Sequence, residues 1–285
     1  MKFFISLLTY LAFMPLAVFA DEGEAALLCA DQSDNRIRLI NPSAKEPNKF
    51  TLWCYPAEDG KKFRYMPTDA KLVKLGGVQH ILAAYHGRVQ LIRFKDQKLI
   101  KDYPSLSSCH SAELLPDGKI VSANSNHGKL RLHHSADQFT DTDLPYAHGV
   151  MWDAKRKCLW VLGDFLYRFH YKNEGLKIDQ KFKLPVTPTG HDLFPLRNGK
   201  KLLVSNNDAL FLFDIATEKF ETISTLKEIK SASQHPDGTI WATDPTNIEG
   251  GASWQSNAVI CIKPATPAKH IRAKGARFYK ARWWQ

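Results

Sequence analysis

Apolar residues fall along this chain in short runs of about four to six, and most runs are closed by a turn signal. The clearest stretch lies between His191 and Thr225. His191-Asp192-Leu193-Phe194-Pro195-Leu196 predicts a first strand, closed by Arg197-Asn198-Gly199-Lys200. Residues 201–205, 209–214 and 219–223 predict three more, with polar or small residues between them. Asn-Gly and Asp-Gly recur at the turns because both tolerate positive φ. A sustained helical period is almost absent, so the pattern argues for strands throughout.

The same four-part unit fits residues 69–103, 110–144 and 148–184, and a further one runs from Lys230 to about residue 274. A repeat of roughly 40 residues built from four strands has the length of a propeller blade. The N-terminal part supplies only three strands, near residues 26–30, 36–41 and 50–55. The C-terminus supplies one unmatched strand, residues 277–284. Together they make one more blade, and this split closure removes the sheet edges that an open ring would expose. The prediction is an all-β fold, a six-bladed β-propeller. The C-terminal strand closes the ring by completing the N-terminal blade, and residues 21–285 form a single domain. A seventh blade would need strands that the pattern does not supply.

In a propeller the first strand of each blade lines the central channel. Three first strands carry a histidine about seven positions ahead of the first turn: His110 before Asp117-Gly118, His148, and His191 before Asn198-Gly199. The same count places Asp69 and Lys230 in the flanking blades, and the closing strand offers Tyr279, Lys280 or Arg282. Three converging neutral imidazoles suit a divalent transition metal such as Mn, Zn, Ni or Fe, because the ring nitrogen is a borderline donor. An open position on that metal could polarise a carboxylate or activate a water. Equally, a channel histidine can simply donate to a neighbouring carbonyl. Glu113 could pair with Lys or Arg in the channel or face a neighbouring blade. His80, His86, His127, His133, His134, His170, His235 and His270 fall in other strands or turns and are expected to be surface or packing residues. Trp283 and Trp284 alternate across the closing strand, so one should pack between blades and the other face the channel or solvent. No Gly-x-Ser-x-Gly elbow, phosphate loop, dinucleotide fingerprint or His-Glu-x-x-His motif is present.

Residues 1–20 change the picture of where the domain works. Lys2 followed by the apolar run from Phe3 to Phe19, with Ala17-Val18-Phe19-Ala20 before acidic Asp21-Glu22, reads as a signal peptide cleaved after Ala20. An uncleaved anchor is the alternative, and no later stretch is apolar enough to span a bilayer. The chain is expected to be secreted or periplasmic in a bacterium. The net charge of +10 is spread through turns and outer strands. Nucleic acid is a poor partner for an exported protein, whereas acidic glycans would be attracted nonspecifically. The five cysteines match no zinc knuckle or CxxC pair, and most sit inside apolar strands as buried thiols. A Cys29–Cys54 bridge is possible, since both fall in the first blade.

Several segments are long enough to be specific. His110-Ser111-Ala112-Glu113-Leu114-Leu115-Pro116-Asp117-Gly118, Ala147-His148-Gly149-Val150, Gly190-His191-Asp192-Leu193-Phe194-Pro195, Lys230-Ser231-Ala232-Ser233-Gln234 and Phe278-Tyr279-Lys280-Ala281-Arg282-Trp283-Trp284 closely resemble an uncharacterised family of secreted bacterial propeller proteins. The resemblance covers almost the whole mature chain and implies fold and export rather than an activity. The His-plus-Pro-Asp-Gly strand is more loosely similar to oligogalacturonate lyases. Those are propeller enzymes with a histidine-rich, manganese-binding centre that cleave uronate sugars by β-elimination, although this chain is shorter and has one blade fewer.

Two kinds of function follow as expectations. In the first, the protein is a metal-assisted lyase or hydrolase acting on an acidic saccharide or other small anion. A metal on His110, His148 and His191 would neutralise the substrate carboxylate. Tyr279, Lys280 or Lys230 would move the proton, and Arg282, with Asp69 and Glu113, would hold the ligand. In the second, the propeller is a non-catalytic binder of a glycan, a small molecule or a protein partner of the cell envelope, because fold alone does not choose among functions.

Overall fold

The structure, a computed structural model, describes residues 25–284 apart from 47–48, 174, 245, 247–250 and 265–268. The leader expected at residues 1–20 lies outside the described residues. Strands β1 (Leu27–Asp31), β2 (Arg36–Ile40) and β3 (Thr51–Tyr55) belong to the first blade. The second holds β4 (Pro67–Leu75), β5 (Val78–Tyr85), β6 (Arg88–Arg93) and β7 (Leu99–Pro104). The third holds β8 (Cys109–Leu114), β9 (Ile120–Asn124), β10 (Lys129–His133) and β11 (Phe139–Asp143). The fourth holds β12 (Gly149–Asp153), β13 (Cys158–Leu162), β14 (Phe165–Lys172) and β15 (Gly175–Lys183). The fifth holds β16 (Gly190–Pro195), β17 (Lys201–Asn206), β18 (Leu210–Asp214) and β19 (Lys219–Ser224). The sixth holds β20 (Ala232–Gln234), β21 (Ile240–Thr243), β22 (Ala258–Lys263) and β23 (His270–Arg272), and β24 (Phe278–Trp283) returns to pair antiparallel with β1. Every sheet has four strands, and the closing strand completes the first blade. The ring is six-bladed, as the repeat count predicts.

The apolar runs bury themselves between blades rather than around one centre. Six clusters of buried residues each join two neighbouring blades. Trp160 of β13 meets Phe182 of its own blade and, across one such junction, Phe213 of the next, at ring-centroid distances of 5.8 and 5.7 Å. The second strands of the blades are covered on both sides, and β9, β13 and β17 are buried along almost their whole length. The outermost strands are mostly exposed, as in β11 and β19. Trp283 packs against Trp241 in the junction beside β24, and Trp284 packs on Phe94 with centroids 4.9 Å apart.

All five cysteines are free, so the Cys29–Cys54 bridge does not form. The register gives the reason: Cys29 and Cys54 both pair with Arg38, on opposite sides of β2. Two strand spacings separate them by roughly 9–10 Å, beyond the ~7 Å limit for a disulfide. Among the described residues, no helix is long and apolar enough to cross a membrane.

Candidate functional site

Four of the innermost strands carry a bulge at the same level of the channel. Thr68, His110, His191 and Tyr279 are each the extra residue between two ladder pairs, as between Cys109↔Asn124 and Ser111↔Ala123. A bulge re-aims a side chain, so two consecutive residues of one strand can serve the axis instead of alternating across the sheet. The other two blades reach the same level just outside their first strands. His148 precedes β12, with its N–H donating to Leu162 O at 2.9 Å, and Lys230 precedes β20, with its N–H donating to Thr243 Oγ1 at 3.3 Å.

The three histidines are brought together at one mouth of the channel. Their rings form a row, with His110 and His148 centroids 4.4 Å apart and His148 and His191 5.2 Å apart. His86 extends the row at 6.0 Å from His110. Tyr279 shares a 2.5 Å hydrogen bond with His110 Nδ1. His148 Nδ1–H donates to the Tyr146 carbonyl at 2.9 Å, which leaves Nε2 as the open nitrogen. At the end of the row the Lys230 ammonium lies 2.9 Å from His191 Nε2 and 2.7 Å from Glu228 Oε2. Tyr146 and Glu228, each two residues ahead of His148 or Lys230, hold left-handed backbone at φ 56° and 60°. Such conformations cost a non-glycine residue energy and cluster at functional sites.

His86, His110, His148, Lys230 and Tyr279 line a cavity of about 530 Å³, within the size range of small-molecule sites, while His191 and Glu228 stand beside Lys230 outside its lining. Among the described residues that line it, Lys230 is the only one carrying a formal charge, because the imidazoles are neutral. Burial lowers the pKa of all four histidines. His148 and the nearby lysines add to that for His110, while His191 adds to it for His148 and Lys230 does so for His191, which falls to about 3. Burial also raises the Tyr279 phenol, with Asp192 and Asp69 adding to it, so the hydroxyl keeps its proton. The pair Tyr279–His110 is thus a neutral phenol hydrogen-bonded to a neutral imidazole. The Lys230 pKa is lowered by burial, and Glu228 works against that shift.

One residue along each strand, the chemistry changes. The bulge register sets Asp69 level with Ser111 and Asp192, not with the histidines, so the seven-residue count is one position out for Asp69. Arg282 bridges Asp69 and Asp192 through its two terminal nitrogens. Lys280 stands 3.0 Å from Asp192 and 3.8 Å from Asp69. Ser111 Oγ donates to Asp69 at 2.6 Å. Burial alone would raise the Asp69 carboxyl, but Arg282, Lys280 and Lys71 hold it well below the usual range. Arg282 therefore does not clamp an anion at the histidine mouth, and Lys280 lies with it between Asp192 and Asp69. Glu113 sits lower still. It pairs with Lys71 at 3.1 Å beside the opposite mouth.

A divalent metal fits this arrangement poorly. Among the described residues no three His, Cys, Asp or Glu side chains are grouped so as to hold one. The imidazoles stand in a row, successive rings inclined at 53° and 81°, and an ammonium occupies the approach to His191 Nε2.

The residue pattern left out His86, Asn207, Glu228 and Trp254. His86, grouped with the surface and packing residues, in fact lines the cavity. Gln32, His86 and Asn207 each follow directly on the second strand of a blade, where the chain turns back at the same mouth. A polar residue at that loop position was the available signal. Asn207 contacts His191 Nε2 through its side chain.

Comparison with known proteins places the fold and leaves the site unassigned. The profile of a family of unknown function, DUF6528, matches residues 22–285. No curated protein matches the sequence. A protein of unknown function from Bacteroides caccae is 15% identical, with a TM-score of 0.60 over 92% of this chain and 100% of that one. Virginiamycin B lyase from Staphylococcus aureus, solved with quinupristin as a catalytically inactive His-to-Ala variant, is 12% identical. It has a TM-score of 0.53 over 74% of this chain and 71% of that one. A chain of the nidogen/laminin complex is 12% identical, with a TM-score of 0.63 over 91% and 98%. At these identities the likeness is one of fold.

Proposed function

The chain belongs to the DUF6528 family, and we propose that its histidine-lined mouth binds a small anionic, hydroxyl-rich ligand, an acidic carbohydrate above all. The observation that carries this is the lining: neutral imidazoles, a phenol, amides and hydroxyls around one formal charge, the Lys230 ammonium. A carboxylate on the ligand would take a charge-assisted hydrogen bond from Lys230, worth about twice a neutral one. Neutral imidazoles and the Tyr279 hydroxyl can donate to or accept from sugar hydroxyls. Trp254, about half exposed at the rim, offers an aromatic face to a ring. With residues 1–20 read as a cleaved leader, the ligand would be met outside the cytoplasm.

Calorimetric titration with galacturonate and glucuronate oligosaccharides tests this. Binding is expected, tighter than for the uncharged parent sugars and unchanged by a chelator. Equal affinity for charged and uncharged sugars would sink the reading.

The Tyr279–His110 hydrogen bond supports a second property, proton transfer to or from the bound ligand. The lyase comparison is relevant because a His-to-Ala variant of that propeller is catalytically inactive. If the site turns over uronates by elimination, unsaturated products absorb in the ultraviolet. Tyr279→Phe should then keep binding and lose that signal. Binding with no product makes the site a receptor.

A further inference from the structure

Charge is distributed unevenly toward the C-terminus. Glu249 is the last acidic residue of the sequence, and seven lysines and arginines follow it. Lys280 and Arg282 are buried in the ion cluster on the axis, and Lys263 shares Glu221 of the fifth blade at 3.4 Å. The other four, Lys269, Arg272, Lys274 and Arg277, are exposed. Among the described residues, nothing pairs with their side chains. Three earlier blades are built differently. There an arginine of the third strand meets an aspartate of the outermost one: Arg88–Asp102 at 2.6 Å, Arg131–Asp141 at 2.8 Å and Arg168–Asp179 at 2.5 Å. The outermost strand of the sixth blade, β23, is His270-Ile271-Arg272 and offers no carboxylate. Two acidic residues adjoin this segment, and both are engaged within the fold. Asp244, 3% exposed, lies 3.6 Å from His270 Nδ1 and accepts the Thr246 N–H at 3.0 Å. Asp31, also 3% exposed, pairs with Arg38 at 3.0 Å and accepts the Arg277 N–H at 3.0 Å.

The four cations lead to the histidine mouth. β23 forms the outer wall of the sixth blade, and residues 273–277 carry the chain from there inward to β24. The Arg277 carbonyl accepts the Gln32 N–H at 2.8 Å. Gln32 lines the histidine cavity, as does Tyr279, two residues beyond Arg277. Lys269 to Arg272 alone covers roughly 10 Å, three steps of about 3.3 Å. Lys274 also lines an open groove of about 240 Å³ at the junction of the sixth and first blades, with Ser33, Phe50 and Thr51 of the first blade. Asp31 and Arg38 line it too, already paired with each other.

Unpaired cations strung along a path suit a ligand whose anionic groups repeat along a chain, because a single small anion would reach only one or two of them. The groove supplies hydroxyls that match sugar hydroxyls and an aromatic face for a ring. None of the large apolar residues exposed on the described surface lies among the four cations. The segment therefore lacks the apolar anchor that accompanies basic residues at a membrane surface.

We infer that the ligand of the histidine mouth is a polymer, an acidic polysaccharide whose chain leaves the mouth over Arg277 and Lys274 and continues along Arg272 and Lys269. This rests on the reading of the mouth as a site for an acidic carbohydrate, and it adds length and direction to that ligand.

Calorimetry with galacturonate oligomers of two and ten units tests it. Lys269→Gln, Arg272→Gln, Lys274→Gln and Arg277→Gln together should weaken decamer binding about tenfold, the summed effect of several surface ion pairs. The dimer should be unaffected, and the decamer difference should shrink at high salt. A control variant carries Lys74→Gln, Lys155→Gln, Lys172→Gln and Lys177→Gln, losing the same charge from exposed positions elsewhere. It should bind the decamer as wild type does. An unchanged decamer affinity in the first variant overturns the inference. So does an equal loss in the control, which would mean attraction to net charge alone. A decamer that depends on the four cations while the dimer fails to bind supports the path and counts against the reading of the mouth. If neither oligomer binds, both are overturned.

Discussion

Two adjacent levels of the same channel behave in opposite ways. At one level Asp69, Asp192, Lys280 and Arg282 are almost fully buried, and their charges are closed upon one another. At the next, His110, His148, Lys230 and Tyr279 face a cavity, with His191 against Lys230 behind them. Both levels are polar and both lie on the axis, so polarity alone does not identify a site. What differs is residual valence. The ion cluster has used most of its donors and acceptors to tie the closing strand to the second and fifth blades. The mouth retains an ammonium and neutral ring nitrogens that a ligand can still engage.

The largest consequence concerns the ion cluster. Arg282→Leu would leave Asp69 and Asp192 with Lys280 as their remaining close cation. Removing one partner of a buried charge set costs about 3–5 kcal/mol, and urea denaturation should register a loss of that size. His110→Ala, at the more open level, should cost clearly less. Equal losses for the two variants would erase the distinction between the levels.

Gly149 tests the packing just below the mouth. It stands in the channel position that Asp69, Ser111 and Asp192 fill in other blades. A Cβ there would come within 2.7 Å of Leu193 Cβ and 3.0 Å of the Leu193 backbone nitrogen. Gly149→Ala should therefore destabilise by about 1–3 kcal/mol, the usual range for overpacking. Thermal melting compared with wild type measures it, and an unchanged melt would mean that the row of histidines sits on looser packing than described.

Acid should act on the mouth before it reaches the ion cluster. His110, His148 and His191 have lowered pKa values in the folded protein, with His191 at about 3. In the unfolded chain they titrate near 6.5, at about the ordinary value. The unfolded state therefore takes up protons first, and stability falls as pH drops from about 6.5 toward 3. Each imidazole contributes at most about 1.4 kcal/mol per pH unit in that window. Asp69, also lowered, adds its loss only below the ordinary aspartate value, at about 3.9. Denaturant titrations at pH 7 and pH 5 should differ accordingly. Unchanged stability between them would mean that the imidazoles are not held neutral.

The blades and their closure were legible because strand alternation and turn chemistry are local. Residues 277–284 could be assigned to the first blade by counting strands alone. The histidine mouth was legible for the same reason, since His110, His148 and His191 recur at the blade period. The level of each residue was less so. In β4 the residue level with the histidines is Thr68, one position further from its turn than in β8 and β16, and nothing in the sequence around Pro67-Thr68-Asp69 announces it. Partners distant in sequence were hidden for another reason. The Arg282–Asp192 pair joins residues from two different blades and exists only once the ring has closed. His86 and Asn207 belong to loops whose common direction follows from the ring and not from their own neighbourhoods.

The account rests most heavily on Lys230 as the charge that selects the ligand. The direct measurement is the affinity of glucuronate or galacturonate for wild type and for Lys230→Met, alongside the stability of each. Loss of a charge-assisted hydrogen bond, about 1.5–3 kcal/mol, predicts affinity weaker by at least about tenfold, with the fold intact and the preference for the charged sugar gone. Unchanged affinity and an unchanged preference in Lys230→Met would contradict it.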